Sequence, residues 1–369
     1  MSQLLEAKRS EWSNSIGARA LRAGPIATLC VAALALAGCG GEPGEERAQA
    51  GIVKMGQAVP SLGFLNVDAA RALGTFKDED LKLEWSLVSG GDPAILAALD
   101  SGDIDFAAVG SEAPVTAISK DGPFELVYAL MSQMSLDLTV SDSFLKKAGV
   151  SPDDPVEKRL ASLKGATIGV TVIGGAQDRT VRWLAQRAGL DPKKDVEVVQ
   201  VGSPPALQAA LETDRIDGFA LTAPNGPLVE RQGSGKVLIR LGEEIPELRS
   251  HYHTVLVVRK DFAEENGELV TRVARALATA AERTVDDPEE VAKRVHDQLY
   301  QKVPPQVMSE SVGGLKDGLK NQGRMTAENM AFLLKFTSQA GYELGEGLDA
   351  KEGMGEWWTN EFVEGALKK

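Results

Sequence analysis

Six short stretches rich in Gly, Ser, Thr and Pro carry the groups best able to hold a small polar molecule: residues 59–63, 89–92, 110–114, 171–176, 202–204 and 222–225. In such loops the backbone approaches a ligand closely, and a helix starting just after adds the positive end of its dipole. The chemistry this suits is non-covalent capture of a small polar or anionic solute. The candidate residues are Pro60, Ser61, Leu62, Ser89, Gly110, Ser111, Glu112, Gly174, Gly175, Ala176, Thr222 and Pro224, with Tyr252 further along. Any one loop reads equally well as a tight strand-to-helix turn. Six in matched positions point to a site.

Other chemistry is thinly supplied. Gln232-Gly233-Ser234-Gly235-Lys236-Val237 has a Gly-Lys pair, but the upstream glycine of a phosphate loop is missing and Val237 stands where a hydroxyl would hold magnesium. His251 and His253 fall on one face of a strand, yet no third ligand is near, and His296 belongs to a separate amphipathic helix, so no metal site is expected. No Gly-x-Ser-x-Gly occurs, and three histidines with two cysteines leave little for covalent hydrolysis.

The loops are positioned by a unit that occurs twice. Pro93-Ala-Ile-Leu-Ala-Ala-Leu-Asp-Ser-Gly-Asp-Ile-Asp105 returns as Pro205-Ala-Leu-Gln-Ala-Ala-Leu-Glu-Thr-Asp-Arg-Ile-Asp217, identical at seven of thirteen places. In both, proline sits where a helix can start, apolar residues follow at helical spacing, and Ile-Asp leads into a buried run, Phe106–Val109 or Gly218–Leu221. The match extends upstream, each half opening with a strand (52–58 or 166–172), a helix (66–73 or 178–188) and a second strand (81–88 or 196–201). Alternating strands and helices imply a mostly parallel sheet, whose ligands meet the loops at the carboxyl ends of its strands. Two such sheets with loops face to face would enclose a cleft. After a strand at 254–258 the chain turns helical, with helical spacing over 268–285, 288–299 and 327–340, read as cover for one lobe. Trp357 and Trp358 are expected to dock the tail into a groove, and 141–162 to form a loop and short helix.

At the amino end, four basic residues precede the uncharged run 23–38, which is shorter than the roughly 20 apolar residues a spanning helix needs. Residues 1–38 read as a secretory signal peptide. Leu36-Ala37-Gly38-Cys39 and the polar stretch behind it resemble a bacterial lipobox, which implies lipidation of Cys39 and a flexible tether over 39–50. Cys30 would leave with the signal, so no disulfide is expected within one chain. With 43% hydrophobic and 25% charged residues the remainder is a soluble globular chain long enough for two domains. A formal charge of −13, scattered along the chain, argues against a nucleic-acid or anionic-membrane surface partner.

The residues also support a family resemblance. Ala70-Arg-Ala-Leu-Gly-Thr-Phe-Lys-Asp-Glu-Asp-Leu81, Ala98-Leu-Asp-Ser-Gly-Asp-Ile-Asp-Phe106, Leu163-Lys-Gly-Ala-Thr-Ile-Gly-Val170 and Gly189-Leu-Asp-Pro192 resemble segments of the periplasmic solute-binding proteins of ABC importers. The branch is the one for nitrate, alkanesulfonates, taurine and thiamine-pyrimidine precursors, and the likeness covers about residues 51–300. It implies an α/β type II periplasmic-binding-protein fold: two Rossmann-like lobes, a hinge of two crossover strands (near Leu138–Val140 and Tyr252–Leu256) and extra C-terminal helices. Lobe 1 would comprise 51–139 and 254–369, and lobe 2 would comprise 140–253. Ser61 and Ser111 would offer hydroxyls, and Gly174 and Gly175 backbone donors. The resemblance further implies a monomeric, lipid-anchored receptor without a cofactor, on the periplasmic or extracellular face of the cell membrane. Its partners would be a small-molecule solute and an inner-membrane ABC permease, with the membrane touched through the lipid only. Glu112 is out of place beside an anion loop, which leaves zwitterionic, neutral and cationic solutes open; Arg179 could compensate if it turned inward. Two alternatives stay open: a pyrimidine-precursor-type enzyme on the same fold, and a sensor lipoprotein with a vestigial cleft.

Overall fold

Runs of apolar β-branched residues between turn-forming clusters make ten strands: β1 (Ile52–Gln57), β2 (Lys82–Leu87), β3 (Phe106–Gly110), β4 (Phe124–Met131), β5 (Leu136–Ser141), β6 (Ala166–Val170), β7 (Val196–Gln200), β8 (Gly218–Thr222), β9 (Gly235–Arg240) and β10 (Thr254–Arg259). The computed structural model describes residues 51–368 apart from Ala58 and Glu352; the signal, Cys39 and the tether lie outside the described residues. Two five-stranded sheets form, in the orders β2-β1-β3-β10-β4 and β7-β6-β8-β5-β9. β1 pairs in parallel with β2 and β3, and β6 with β7 and β8. One strand in each sheet, β10 and β5, is antiparallel to both its neighbours. β8 is buried along its whole length, as a central strand covered by helices on both faces requires.

The twofold repetition is carried into atomic detail. Gly56 of β1 lies where a Cβ would come within 2.7 Å of Ile104 Cδ1 and 3.2 Å of Val88 Cγ2. Gly169 of β6 lies where a Cβ would come within 2.7 Å of Ile216 Cδ1 and 3.3 Å of Val201 Cγ2. Both glycines therefore let the repeated isoleucine pack onto bare backbone. The repeated aspartates act alike: Asp105 N–H donates to Lys54 O (2.9 Å) while its Oδ2 accepts from Lys54 N–H (3.4 Å), and Asp217 does the same with Thr167 at 2.8 Å each way. In each half, then, Ile-Asp ties the incoming strand to the first strand, one apolar contact and one charge-assisted bond at a time.

The chain passes between the sheets at 132–135 and again over 241–253, between β9 and β10. Leu138–Val140, expected to be a crossover, instead pairs with both β8 and β9 inside the second sheet. Its apolar character reflects burial on two faces, whereas the true passage, Ser132-Gln-Met-Ser135, has no periodic pattern. Segment 141–162 holds two short helices, Asp142–Ala148 and Val156–Ala161. Helices Gly267–Asp286 and Pro288–Leu299 cover the first sheet. Helix Ala327–Gln339 departs from the expectation of one-lobe cover: Met330 and Leu333 join a core of the first lobe, while Phe336 joins that of the second. Trp357 and Trp358 are buried beside β4, whose Leu126 N–H donates to Trp357 O and whose carbonyl accepts from Thr359 N–H.

Candidate functional site

Where the lobes meet, three polar residues converge on one glycine, and a fourth, Thr222, joins them through Ser135. Ser61 precedes a single 3-10 turn, Leu62–Phe64, and its Oγ accepts the Gly63 N–H at 3.2 Å. A Cβ on Gly63 would stand 3.3 Å from Ser135 Oγ, 3.5 Å from Ser61 Oγ and 3.6 Å from His253 Cε1. Glycine lets the first loop close on both crossing segments without crowding Ser135 Oγ. Ser135, in the first crossing, places Oγ 2.5 Å from Nδ1 of His253 in the second, and 3.2 Å from Thr222 Oγ1 at the end of β8. Both lobes and both crossings are therefore joined by one short run of hydroxyls and an imidazole. Burial pushes the pKa of His253 down to about 4, against the pull of Glu112 and with the help of His251.

Acidic groups gather on the first-lobe side. Glu112 opens helix Glu112–Ile118 and is buried, its Oε1 3.0 Å from Nε2 of the equally buried His251. Burial alone would raise the carboxyl of Glu112, but the His251 hydrogen bond, with the charges of His251 and His253, holds it below the usual range. The His251 ring packs 4.4 Å from Phe336, and its Nδ1 is buried without a partner. Asp92 Oδ2 lies 2.9 Å from where a Cβ of Gly110 would be, and Glu112 Oε2 lies 3.6 Å from the same point. Burial, and then the charge of Glu112, push the carboxyl of Asp92 up to about 7.

On the second-lobe side, Gly174, at φ +79°, and Gly175 lead into helix Ala176–Arg187. Their donors are engaged within the loop: Gly174 N–H bonds Asp178 Oδ2 at 2.7 Å, and Gly175 N–H bonds Val172 O at 3.2 Å. Arg179 donates from Nε to Gly174 O (2.8 Å) and from Nη1 to Gly341 O, and its guanidinium lies 3.9 Å over the Tyr342 ring. The segment after helix Ala327–Gln339 thus rests on the second lobe.

Among the candidates, Ser61 and Thr222 are brought together through Ser135, and Gly110, Ser111 and Glu112 line up beside them, Ser111 N–H donating to His253 O at 3.2 Å. Ser111 Oγ is buried without a partner. Pro60, Ser89 and Gly174 are exposed, Ala176 and Gly175 partly so, and Pro224 is buried ahead of helix Asn225–Gln232. Leu62 is fully buried in the first-lobe core, and Tyr252 is buried with its hydroxyl accepting Thr326 N–H at 2.8 Å, so both side chains face inward. Sequence reasoning missed Ser135 altogether and read His253 only as half of a possible metal pair. The His-x-His spacing was the available signal; its partners, far away in the chain, were not. A cavity of about 220 Å³ adjoins the crossing, with Ser135, Asp137, Glu230, Arg240, Glu243 and Glu310 in its wall.

Comparison with known proteins bears on the family and the fold. A model described as the NMT1-like family matches residues 41–296. The taurine-binding periplasmic protein of Escherichia coli K12 is 30% identical over 222 residues, which are 60% of this chain and 63% of that protein. The nitrate/nitrite binding protein NrtA of Nostoc is 25% identical over 245 residues, 64% of this chain and 53% of that protein. The chain thus spans less than two thirds of the length of these curated relatives. Among solved structures, the periplasmic nitrate-binding protein NrtA from Synechocystis superposes with a TM-score of 0.68 at 17% identity, covering 86% of this chain and 88% of that one. The periplasmic aliphatic sulphonate binding protein SsuA from Escherichia coli gives 0.59 at 17% identity, covering 78% and 86%. Identities this low speak for the fold alone, that of two-lobed periplasmic binding proteins.

Proposed function

The chain belongs to the NMT1-like family, and from that premise we propose that it is the extracytoplasmic solute receptor of an ABC importer. It captures a small polar solute, of the sulfonate, nitrate or pyrimidine-like class, between its lobes and delivers it to an inner-membrane permease. The observation that carries this reading is the Ser61–Ser135–His253–Thr222 junction, a set of uncharged donors and acceptors where both lobes and both crossings meet. Glu112 is buried with Oε1 committed to His251, so that oxygen is not turned toward the loop. The relatives named for taurine, nitrate and sulphonate support the solute class. A lipid on Cys39 would hold this receptor, as a monomer, to the outer face of the membrane.

The Ser135–His253 contact is also the one feature that favours an enzyme. An imidazole whose pKa sits near 4 is a weak base at neutral pH, and the carboxylate nearby is committed to the other histidine. Capture without turnover is the better fit. The test is a thermal-melt panel of taurine, methanesulfonate, nitrate and hydroxymethylpyrimidine, with each solute recovered intact afterwards. A binding solute at 100 times its dissociation constant adds about 2.7 kcal/mol of stability. A panel that leaves the melt unmoved removes the receptor reading, and consumption of a solute replaces it with the enzyme. Mass analysis of the amino-terminal peptide checks the anchor: an unmodified Cys39 refutes it.

A further inference from the structure

We propose that His253 is a solute-positioning donor, held by Ser135 as the Nε2–H tautomer, with Thr222 backing the Ser135 hydroxyl. The inference rests on the solute-receptor reading and adds which atom meets the solute and what that atom demands of it.

The tautomer follows from donor and acceptor roles. Ser135 N–H points at His253 Nδ1 from 3.4 Å, and an amide nitrogen can only donate, so Nδ1 accepts and the ring proton sits on Nε2. Ser135 Oγ lies 2.5 Å from the same Nδ1, so its hydroxyl proton also points there. With that proton committed, Ser135 Oγ can only accept from Thr222, 3.2 Å away. The run therefore has one direction: Thr222 O–H to Ser135, Ser135 O–H to Nδ1, and Nε2–H outward. Protonating Nδ1 would set an N–H against the Ser135 amide donor and force the Ser135 hydroxyl to turn round, which agrees with a ring that burial keeps neutral down to about pH 4, although Glu112 faces it and His251 opposes that pull.

The outward end is free. Among the described residues Nε2 has no hydrogen-bond partner, and the residue is partly exposed, at a junction shared with Gly63 and Ser111. His251, two residues earlier, differs in each respect: it is fully buried and its Nε2 is spent on Glu112. The histidine pair thus divides into one that packs and one that presents an N–H. A solute with an acceptor oxygen, such as a sulfonate or nitrate oxygen, is accepted at this point, and one that offers only donors is rejected. Thr222 stands opposite Leu136 in the second sheet, next to Ser135, so it backs the Ser135 hydroxyl from within that lobe.

Two arms test this. In protein labelled with ¹⁵N at the histidine rings, which contains three histidines, long-range ¹H–¹⁵N spectra read the tautomer of His253 without added solute. The expected result is Nε2–H from pH 5 to 8, with the Nε2 signal shifting on addition of nitrate or taurine. Calorimetric titration with the same two probes then compares variants. His253→Phe should weaken binding by about 10- to 100-fold, the worth of a hydrogen bond to a charged group, His253→Gln, which keeps an N–H, should recover most of it, and Ser135→Ala should mix the tautomers and fall between. An Nδ1–H tautomer or an imidazolium at pH 7 overturns the inference regardless of any binding result. Wild-type binding with an unaffected His253→Phe overturns the role of His253 alone, and a wild-type protein that binds neither probe overturns the oxyanion-receptor reading together with that role.

Discussion

The pair Glu112–His251 should behave as a single energetic unit, and a double-mutant cycle tests this. Both groups are buried, 3.0 Å apart, with Phe336 4.4 Å from the imidazole. His251→Phe keeps a ring against Phe336 but leaves a carboxylate in an apolar site, at a cost of about 3–5 kcal/mol. Glu112→Ala is milder, because it strands only a ring N–H, at about 1–3 kcal/mol. The double variant has neither orphan and should lose only packing, about 2 kcal/mol, which implies a coupling of at least about 2 kcal/mol. The pH dependence has a sign. In the wild type the carboxyl of Glu112 is held below its ordinary value, so it stabilises above the unfolded value and loses that contribution as pH falls through the folded one. In His251→Phe the largest opposing influence is gone, and burial outweighs the His253 charge and the backbone hydrogen bond that remain, raising the carboxyl; the folded state then holds a proton that the unfolded chain releases, and the penalty grows as pH rises from about 4.5 to 7. Urea midpoints at pH 4.5 and 7 with unchanged slopes measure both effects. Single costs that simply add, with coupling under about 0.5 kcal/mol, would refute the claim that these groups neutralise one another.

Asp137, beside the cavity, is pushed up to about 7 by burial, partly opposed by Arg240, and further by Glu243, Glu230 and Glu244. Its ionisation therefore costs the folded state as pH rises from about 4 to 7, and Asp137→Asn should gain about 2 kcal/mol at pH 8 and nothing at pH 4 in urea titrations; equal effects at both would contradict this. Asp217→Ala leaves Thr167 N–H unpaired and should cost about 2 kcal/mol in the same assay. Gly242→Ala would place a Cβ 2.1 Å from the carbonyl oxygen of Met134 in the first crossing, so a loss of about 1–3 kcal/mol is expected, visible as a lowered melting temperature.

The repeated halves were legible because their signals are local. Proline at a helix start, helical spacing and Ile-Asp before a buried run all sit within thirteen residues, and the strands they foretell end within two residues of those observed. Helix Pro305–Leu315 went unread: Ser309, Ser311, Gly313 and Gly314 dilute its propensity, and what keeps it helical is the burial of Val307, Met308, Val312 and Leu315. The first crossing was misplaced because strand-like hydrophobicity marks burial and not passage between sheets. At the site, the loops announced themselves by composition, but Ser135 and His253 meet across 118 residues and His251 and Glu112 across 139. No local pattern encodes such partners. The same limit applies to Arg179, whose contacts with Gly341 and Tyr342 lie more than 160 residues away.

What repeats and what diverges in the two halves divide along a physical line. The repeated groups hold strands together: Gly56 and Gly169 under isoleucine, Asp105 and Asp217 on the first strand, and Val88 and Val201, whose N–H groups bond Gln57 O and Val170 O at 2.9 Å each. At the carboxyl ends of the same strands the correspondence stops. The offset that carries Ile104 onto Ile216 carries Gly110-Ser111-Glu112 onto Thr222-Ala223-Pro224, and the loop bearing Ser61 onto one bearing Gly174. A buried frame tolerates little change, since a methylene or an unpaired amide inside it costs about 1 kcal/mol or more. Loops facing a gap have no such constraint, so one frame can carry two unlike rims. The first rim carries Glu112 with the hydroxyls of Ser61 and Ser111, the second carries Thr222 with the backbone groups of Gly174 and Gly175, and the imidazoles come from the second crossing. The two are joined at Ser135, a residue that lies in the connection between the copies and belongs to neither.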